Sequence, residues 1–419
     1  MKNFLNTTVV SVLQEVHVPN RWFFVIAAVL MQLGLGNVYA WSIFRNPLME
    51  LHKWTIQEAT MPFTLCVVFF AVGMIIAGRW QDRVGPRIVA ITGGVLLGAG
   101  FLLASQLGQT LFGLYLTYGV LTGLGVGFAY VTPIATCVKW FPDMRGFITG
   151  LAVLGFGAGS LIVAPVGTAL IERIGVYGTF AIFGIAFGLL VVLTGAMLRN
   201  PPTGWRPAGW TPPANGPGSK EHKDYPPSQM AKTFQFYLLW IVFLFWAGVG
   251  LMVISQAVPM GQELASLNAT VAAGALGLMS ILNGLGRPAF GFVSDKIGRK
   301  GATILAQALF IVTLLFLLPN ARDFVLYTLG ISLIGFAYGG SLSVMPAFTA
   351  DYYGTKHLGI NYGWIFSAWG AAGVLGPIIG AQVRAATGAW GGAFAVLAIL
   401  SAVAAALILI TKPPSTKGA

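Results

Sequence analysis

Apolar residues in this chain come in long unbroken runs, and polar residues are confined to short gaps between them. Twelve windows of roughly 20 residues reach the length needed to cross a hydrocarbon layer of about 30 Å. They fall near 21–45, 58–77, 87–106, 111–138, 147–170, 175–197, 234–258, 270–292, 300–319, 323–350, 359–383 and 388–411. A backbone in lipid must satisfy its own hydrogen bonds, which selects helices, and the alternating pattern of a membrane β-barrel is absent. One long polar gap, 198–232, is dense in Pro and Gly and reads as a linker between a first half, 1–197, and a second half, 233–419. Trp205 and Trp210 within it are placed to touch the membrane surface.

The two halves repeat each other. Gly78, Asp82, Gly85 and Arg87 recur as Gly291, Asp295, Gly298 and Lys300, every pair 213 residues apart. The tetrapeptide GFAY occurs at 127–130 and again at 335–338, and small-residue stretches at 155–165 and 370–377 match as well. A unit written twice predicts two six-helix bodies, with small faces that pack closely and move against each other.

Composition agrees with this pattern. Charged residues make up 9% of the 419 and hydrophobic residues 56%, with a mean hydropathy of +0.79, whereas a soluble domain carries about 25% charged residues. The net charge of +12 and pI of 9.8 would suggest nucleic acid in a soluble protein. Here 18 of the 24 basic residues fall on one side of the predicted spans, and only Arg45, Lys53, Arg173, Arg322 and Arg384 on the other. Basic charge is therefore a topology signal that places both termini in the cytoplasm, not a nucleic-acid groove. Residues 1–20 read as a mixed arm able to lie at the interface, followed by an uncleaved first helix. Cys66 and Cys137 lie in separate apolar windows and offer neither a disulfide framework nor a metal site. No phosphate-binding loop, HExxH or nucleophile elbow occurs, so neither ATP-driven transport nor an enzyme is supported, and no cofactor is expected.

Arg287 is the one basic residue deep inside a span, and no Asp or Glu lies deep in any window to neutralise it. A buried arginine is costly unless paired or facing a cavity. The missing anion is then a candidate substrate, since a guanidinium fork grips a carboxylate with two charge-assisted hydrogen bonds. Asn283, one helical turn earlier, either orients that carboxylate or bonds to a neighbouring helix. Tyr39, Tyr130 and Tyr338 either line the same cavity or sit satisfied between helices. Ser367, Asn361 and Gln256 are weaker polar candidates. In the repeated loops, Asp82 with Arg79, Arg83 and Arg87, and Asp295 with Lys296, Arg299 and Lys300, predict charged latches that cap or pair with neighbouring helices. Histidines at 17, 52, 222 and 357 lie outside the spans or at their edges, so none is a central proton relay.

The repeated loops, Gly78, Asp82, Arg83, Gly85 and Arg87 with Gly291, Asp295, Lys296, Gly298, Arg299 and Lys300, resemble the signature of major facilitator transporters. More narrowly, NRWFF at 20–24, KWFPDMRG at 139–146, GRPAFGFVSDKIGR at 286–299 and YYGTKHLGINYGWIFSAWG at 352–370 resemble the bacterial oxalate/formate antiporter group and the monocarboxylate transporters. This resemblance implies an all-α integral membrane protein with twelve transmembrane helices in two pseudo-symmetric halves, working as a monomer in a bacterial cytoplasmic membrane. It also implies a substrate-binding role for Arg287. Two departures bear on substrate and coupling. Where the antiporter pattern has a lysine in span 11, this chain has Trp369, which leaves one charge of a dicarboxylate unmatched and offers an apolar wall instead. Animal monocarboxylate transporters have an aspartate at the position of Asn283. The expectation is a carrier of a small monocarboxylate, L-lactate or pyruvate, with a proton as coupling ion. An oxalate/formate-type exchanger and a non-transporting membrane sensor are the alternatives.

Overall fold

The computed structural model describes residues 19–211 and 223–414, less the side chain of Ser160. Most of the anticipated N-terminal arm, together with Lys2, His17, Lys220, His222 and Lys417, lies outside the described residues. Ten continuous helical runs among the described residues are long and apolar enough to cross a bilayer. Two of them have about double the needed length: Arg145–Met197 with 53 residues and Ala269–Asn320 with 52. Each is interrupted by a glycine in a non-helical conformation, Gly175 (φ 76°, ψ 173°) and Gly298 (φ 82°, ψ 159°). Dividing the runs there gives twelve spans. These are α1 (Trp22–His52), α2 (Ile56–Val84), α3 (Pro86–Leu107), α4 (Leu111–Trp140), α5 (145–174), α6 (176–197), α7 (Phe234–Leu264), α8 (269–297), α9 (299–320), α10 (Phe324–Tyr353), α11 (Leu358–Thr387) and α12 (Trp390–Ile410).

The boundaries follow from local chemistry. Thr55 and Glu58 form a capping box at the start of α2, Asn268 accepts the Val271 N–H at 2.9 Å at α8, and Asp323 accepts the Leu326 N–H at 2.9 Å at α10. Each supplies an acceptor to amides that have no partner within the helix. Gly85 (φ 89°, ψ 170°) separates α2 from α3 as Gly298 separates α8 from α9. This region of φ/ψ space is essentially restricted to glycine, so the two copies of the loop share a backbone conformation as well as a sequence.

The halves meet along two seams, and both tighten toward the face that carries the repeated loops. On α8, Gly291, Gly284 and Gly277 recur every seven residues on one side of the helix. A Cβ on Gly291 would lie 2.2 Å from the Gly146 carbonyl oxygen of α5, and one on Gly284 would lie 3.5 Å from Leu154. One on Gly277 would meet nothing within 4 Å. On α11 the nearest atom of α2 recedes likewise, from 2.8 Å at Gly359 and 2.9 Å at Gly363 to 3.1 Å at Gly370 and 3.6 Å at Gly373. Small residues let the backbones touch at the loop face, and the two halves diverge away from it.

The last part of the linker is bound to the second half. The Tyr225 N–H donates to the Tyr353 carbonyl, and Asn361 Nδ2 donates back to the Tyr225 carbonyl, both at 2.9 Å. A short helix, Pro227–Met230, follows. Trp205 packs edge-on against Trp140 at 4.9 Å. Trp205 remains half-buried beside that indole, as Trp210 does further along.

Candidate functional site

Arg287 projects from the middle of α8 and is wholly buried. Its Nη1 donates across the boundary between the halves to the Val153 carbonyl of α5 at 2.5 Å, and its Nη2 donates to Asn283 Oδ1 at 3.0 Å. Asn283 is fixed in turn by donating its Nδ2 to the Gly335 carbonyl of α10 at 3.0 Å. Gly157 makes room for the guanidinium, since a Cβ there would stand 3.1 Å from its central carbon, and the Phe156 ring lies 5.9 Å away. The Nε has no hydrogen-bond partner, and Arg287 has no ion pair among the described residues. Neutral oxygens thus solvate a buried cation whose charge no described residue balances, an arrangement that favours an incoming anion.

A cavity of about 600 Å³ lies between the halves on the side away from the repeated loops. Tyr39, Gly157, Asn283, Tyr338 and Trp369 line it, together with apolar walls that include Phe63, Leu251, Met279 and Ile378. Thr60, Thr64, Ser255 and Ser280 add hydroxyls. Trp369 Nε1 donates to the Tyr338 hydroxyl at 2.8 Å, and Tyr39 interacts with both Tyr338 and Arg287. The polar ends of Trp369, Tyr338 and Arg287 from the second half thus gather around Tyr39 from the first.

Sequence reasoning anticipated that Tyr39, Asn283, Tyr338 and Trp369 would surround one cavity, and the structure brings them together. Arg287 and Tyr130 are placed differently, since neither lines the cavity. Arg287 is covered because its forked head reaches sideways to Val153. Tyr130 is inserted among Phe70, Phe156 and Phe366 at centroid distances of 5.0, 5.2 and 5.4 Å. These rings, joined by Phe366 stacked on Trp369 at 5.0 Å, form a plug between the cavity and the loop face. Of the weaker candidates, Ser367 accepts from Trp240 at 2.9 Å, Gln256 is bonded to its neighbour Ser255, and Asn361 holds the linker.

At the loop face the two repeated aspartates make equivalent contacts. Asp82 accepts the N–H groups of Gly359 and Ile360 at 3.2 and 3.0 Å, at the start of α11. Asp295 accepts those of Gly146 and Phe147 at 3.0 and 2.8 Å, at the start of α5. Each carboxylate caps a helix of the opposite half, where the exposed amides and the helix dipole both favour negative charge. The charged latch is one-sided. Arg299 bonds Asp295 at 2.5 Å and Asp351 at 2.8 Å, and Arg145 from the first half reaches Asp351 at 2.8 Å. Arg79, Arg83 and Arg87 are exposed and make no ion pair among the described residues, contrary to the pairing expected of them. Lys296 lies over the Phe292 ring at 5.6 Å, and Lys300 donates to the Leu409 carbonyl at 3.3 Å. Sequence reasoning missed Asp351. Its signal was the 208-residue offset between the two GFAY copies, which carries Asp143 of KWFPDMRG onto position 351.

The profile of the Major Facilitator Superfamily matches residues 22–319 and 252–419. Over 354 residues, 84% of this chain and 86% of the relative, the chain is 33% identical to the uncharacterized MFS-type transporter YhjX of Escherichia coli K12. It is 31% identical over 401 residues to the oxalate:formate antiporter of Oxalobacter formigenes, covering 94% of this chain and 92% of that protein. The fold matches that of the transporter FucP in its outward conformation, with a TM-score of 0.69 over 94% of this chain and 99% of that one at 17% identity. With apolar helices long enough to cross a bilayer, arranged around a cavity, this multi-pass membrane protein belongs to the major facilitator superfamily of transporters.

Proposed function

We propose that this protein carries a small monocarboxylate, L-lactate or pyruvate, by alternating access, together with a proton, and that the face bearing the repeated loops is cytoplasmic. The observation that carries the reading is the buried Arg287 guanidinium, which has no counter-ion among the described residues and an unpartnered Nε. One fixed cation suits one carboxylate, and the similarity to an oxalate:formate antiporter supports carboxylates as the substrate class. Trp369, rather than a second cation, borders the cavity, and the cavity walls are mainly apolar, which favours a monocarboxylate with a short carbon body over oxalate. The shape described here is the outward-open state: the far side admits substrate while glycine seams, capped helix ends and the aromatic plug close the cytoplasmic side. Binding would draw the Tyr39 hydroxyl away from Arg287 and let the carboxylate take its place.

Moving an anion into a cell with a negative interior is opposed by about 2.3 kcal/mol per 100 mV, and one proton per anion removes that opposition. Exchange of one organic anion for another is the second reading. It is favoured by the absence of any carboxylate paired with Arg287 among the described residues. The test is uptake of labelled L-lactate, pyruvate, formate and oxalate by purified protein in liposomes, with and without an imposed pH gradient and with and without internal anion. Lactate or pyruvate uptake into empty liposomes, accelerated by an acidic exterior, is expected. Uptake only into preloaded liposomes would establish exchange, and oxalate uptake without lactate uptake would overturn the substrate.

A further inference from the structure

Below the aromatic plug lies a buried hydroxyl that neither the cavity nor the latch uses. Tyr362, Phe366 and Trp369 are spaced four and three residues apart and so share one face of α11. Trp369 borders the cavity. Phe366 packs on Trp369 and on Tyr130 and Phe70 of the other half at 5.4 and 5.2 Å. The Tyr362 ring follows, 5.7 Å from that of Phe366. The stripe thus descends the boundary between the halves, and Tyr362 stands seven residues nearer the loop face than Trp369, about 10 Å along the helix. Its backbone neighbour Gly363 is pressed against the Met74 carbonyl in the seam between α2 and α11, the contact that must part when the carrier opens to the cytoplasm.

Tyr362 is 1% exposed and its hydroxyl has no hydrogen-bond partner. The side chain lies within electrostatic reach of Tyr130, Arg287 and Tyr338, and Arg287 itself keeps an unpartnered Nε. A buried hydroxyl without a partner destabilises the state in which it is buried. Phenylalanine would fill the same space without that cost, as it does one turn later at position 366. The hydroxyl therefore has its use in the state where the seam is open.

We infer that Tyr362 forms a cytoplasmic-side station for the substrate carboxylate, an inference that rests on the monocarboxylate reading of Arg287. As α11 leaves α2 and the aromatic plug separates, the Tyr362 hydroxyl donates to the carboxylate departing from Arg287. The anion thus passes to the cytoplasm by way of a second hydrogen-bond donor. Entry from the outside meets Arg287 from above the plug and does not involve Tyr362.

The test compares Tyr362→Phe with the wild type in right-side-out and inside-out membrane vesicles, using labelled L-lactate and pyruvate. The variant is expected to keep the wild-type KM from the outer side, which also shows that it folds and inserts. From the cytoplasmic side its KM is expected to rise roughly tenfold, as for loss of one hydrogen bond to a charged group. An unchanged KM on both sides would overturn the station and leave the hydroxyl a matter of internal hydration. Equal impairment on both sides would also overturn it, as a structural effect. No wild-type uptake of either anion from either side would overturn the monocarboxylate reading and this inference with it.

Discussion

Asp82 and Asp295 hold equivalent places in opposite seams, each accepting two backbone N–H groups at the start of a helix that belongs to the other half. The two are not of equal strength. Asp295 also bonds Arg299, which is tied to Asp351 and through it to Arg145, whereas Asp82 has no ion pair among the described residues.

Asp82→Asn removes the charge but keeps one acceptor, and it should weaken cytoplasmic closure by about 1 kcal/mol, the usual range for a helix-terminal cap and charge. Asp295→Asn should weaken it more, because Arg299 then loses one of its two ion-pair partners and keeps only Asp351 as a carboxylate. A single cysteine at Met74, in the α2–α11 seam, reports closure in a background with Cys66 and Cys137 replaced by alanine. Its maleimide labelling from the cytoplasmic side should accelerate about fivefold in Asp82→Asn and further in Asp295→Asn. Slower labelling in either variant would contradict a closing role for the caps.

The repeat explains why so much of this fold could be read from the chain. Long apolar runs leave a helix as the only economical backbone, and Gly85 and Gly298 mark equivalent breaks because the same φ/ψ demand occurs twice. The cavity residues Tyr39, Asn283, Tyr338 and Trp369 could be found because polar and aromatic groups are conspicuous within apolar spans. Arg287 was equally conspicuous, but its burial beneath the cavity was not legible, because it depends on the Val153 carbonyl, a backbone atom that no residue type announces. The plug escaped notice for a related reason: Phe70, Phe156 and Phe366 look like any other apolar residue of a span. Tyr362 lies near a span end, where a hydroxyl is ordinarily wet. Only the closure of α11 on α2 makes it buried and unsatisfied.

Asn283 offers a way to alter proton dependence. Its Oδ1 already accepts from Arg287 Nη2 at 3.0 Å, so Asn283→Asp would place a carboxylate against the guanidinium and compete with the substrate. When ionised, that aspartate should raise the KM for lactate by at least about tenfold, since a charge-assisted bond must be displaced. When protonated, it no longer competes as an anion. Lactate uptake by the variant, measured at external pH 5 and 7.5, should therefore recover toward the wild type as pH falls. A variant whose uptake ratio between the two values equals that of the wild type would argue against Arg287 as the carboxylate site.

Trp369 tests the basis of monocarboxylate preference. It borders the cavity and anchors Tyr338. Trp369→Lys would introduce a second cation near the Arg287 site and remove an apolar surface. Oxalate should then become an effective competitor of lactate uptake, while lactate affinity falls about threefold to tenfold with the lost contact. Trp369→Phe, which lacks the indole N–H but keeps an apolar ring, should lower lactate affinity without admitting oxalate. If oxalate competes equally well with the wild type and with Trp369→Lys, the single-cation argument for substrate choice is wrong.

Gly291 and Gly277 lie on the same face of α8, fourteen residues apart, and they sample the two ends of the rocking motion. In the structure, a Cβ at Gly291 would stand 2.2 Å from the Gly146 carbonyl oxygen, whereas one at Gly277 meets open space. Gly291→Ala should therefore prevent tight closure at the cytoplasmic side, shifting the population toward inward-open molecules and speeding maleimide labelling of the cysteine at Met74. Gly277→Leu leaves that closure untouched but fills part of the gap that must shrink when the outer side closes. It should slow transport at saturating lactate while leaving outer-side binding near normal. Binding can be followed by quenching of tryptophan fluorescence, since Trp369 lies at the cavity, and turnover by liposome uptake. If Gly277→Leu cycles at the wild-type rate, α8 does not approach α5 at that level, and the motion would have to occur elsewhere along the interface.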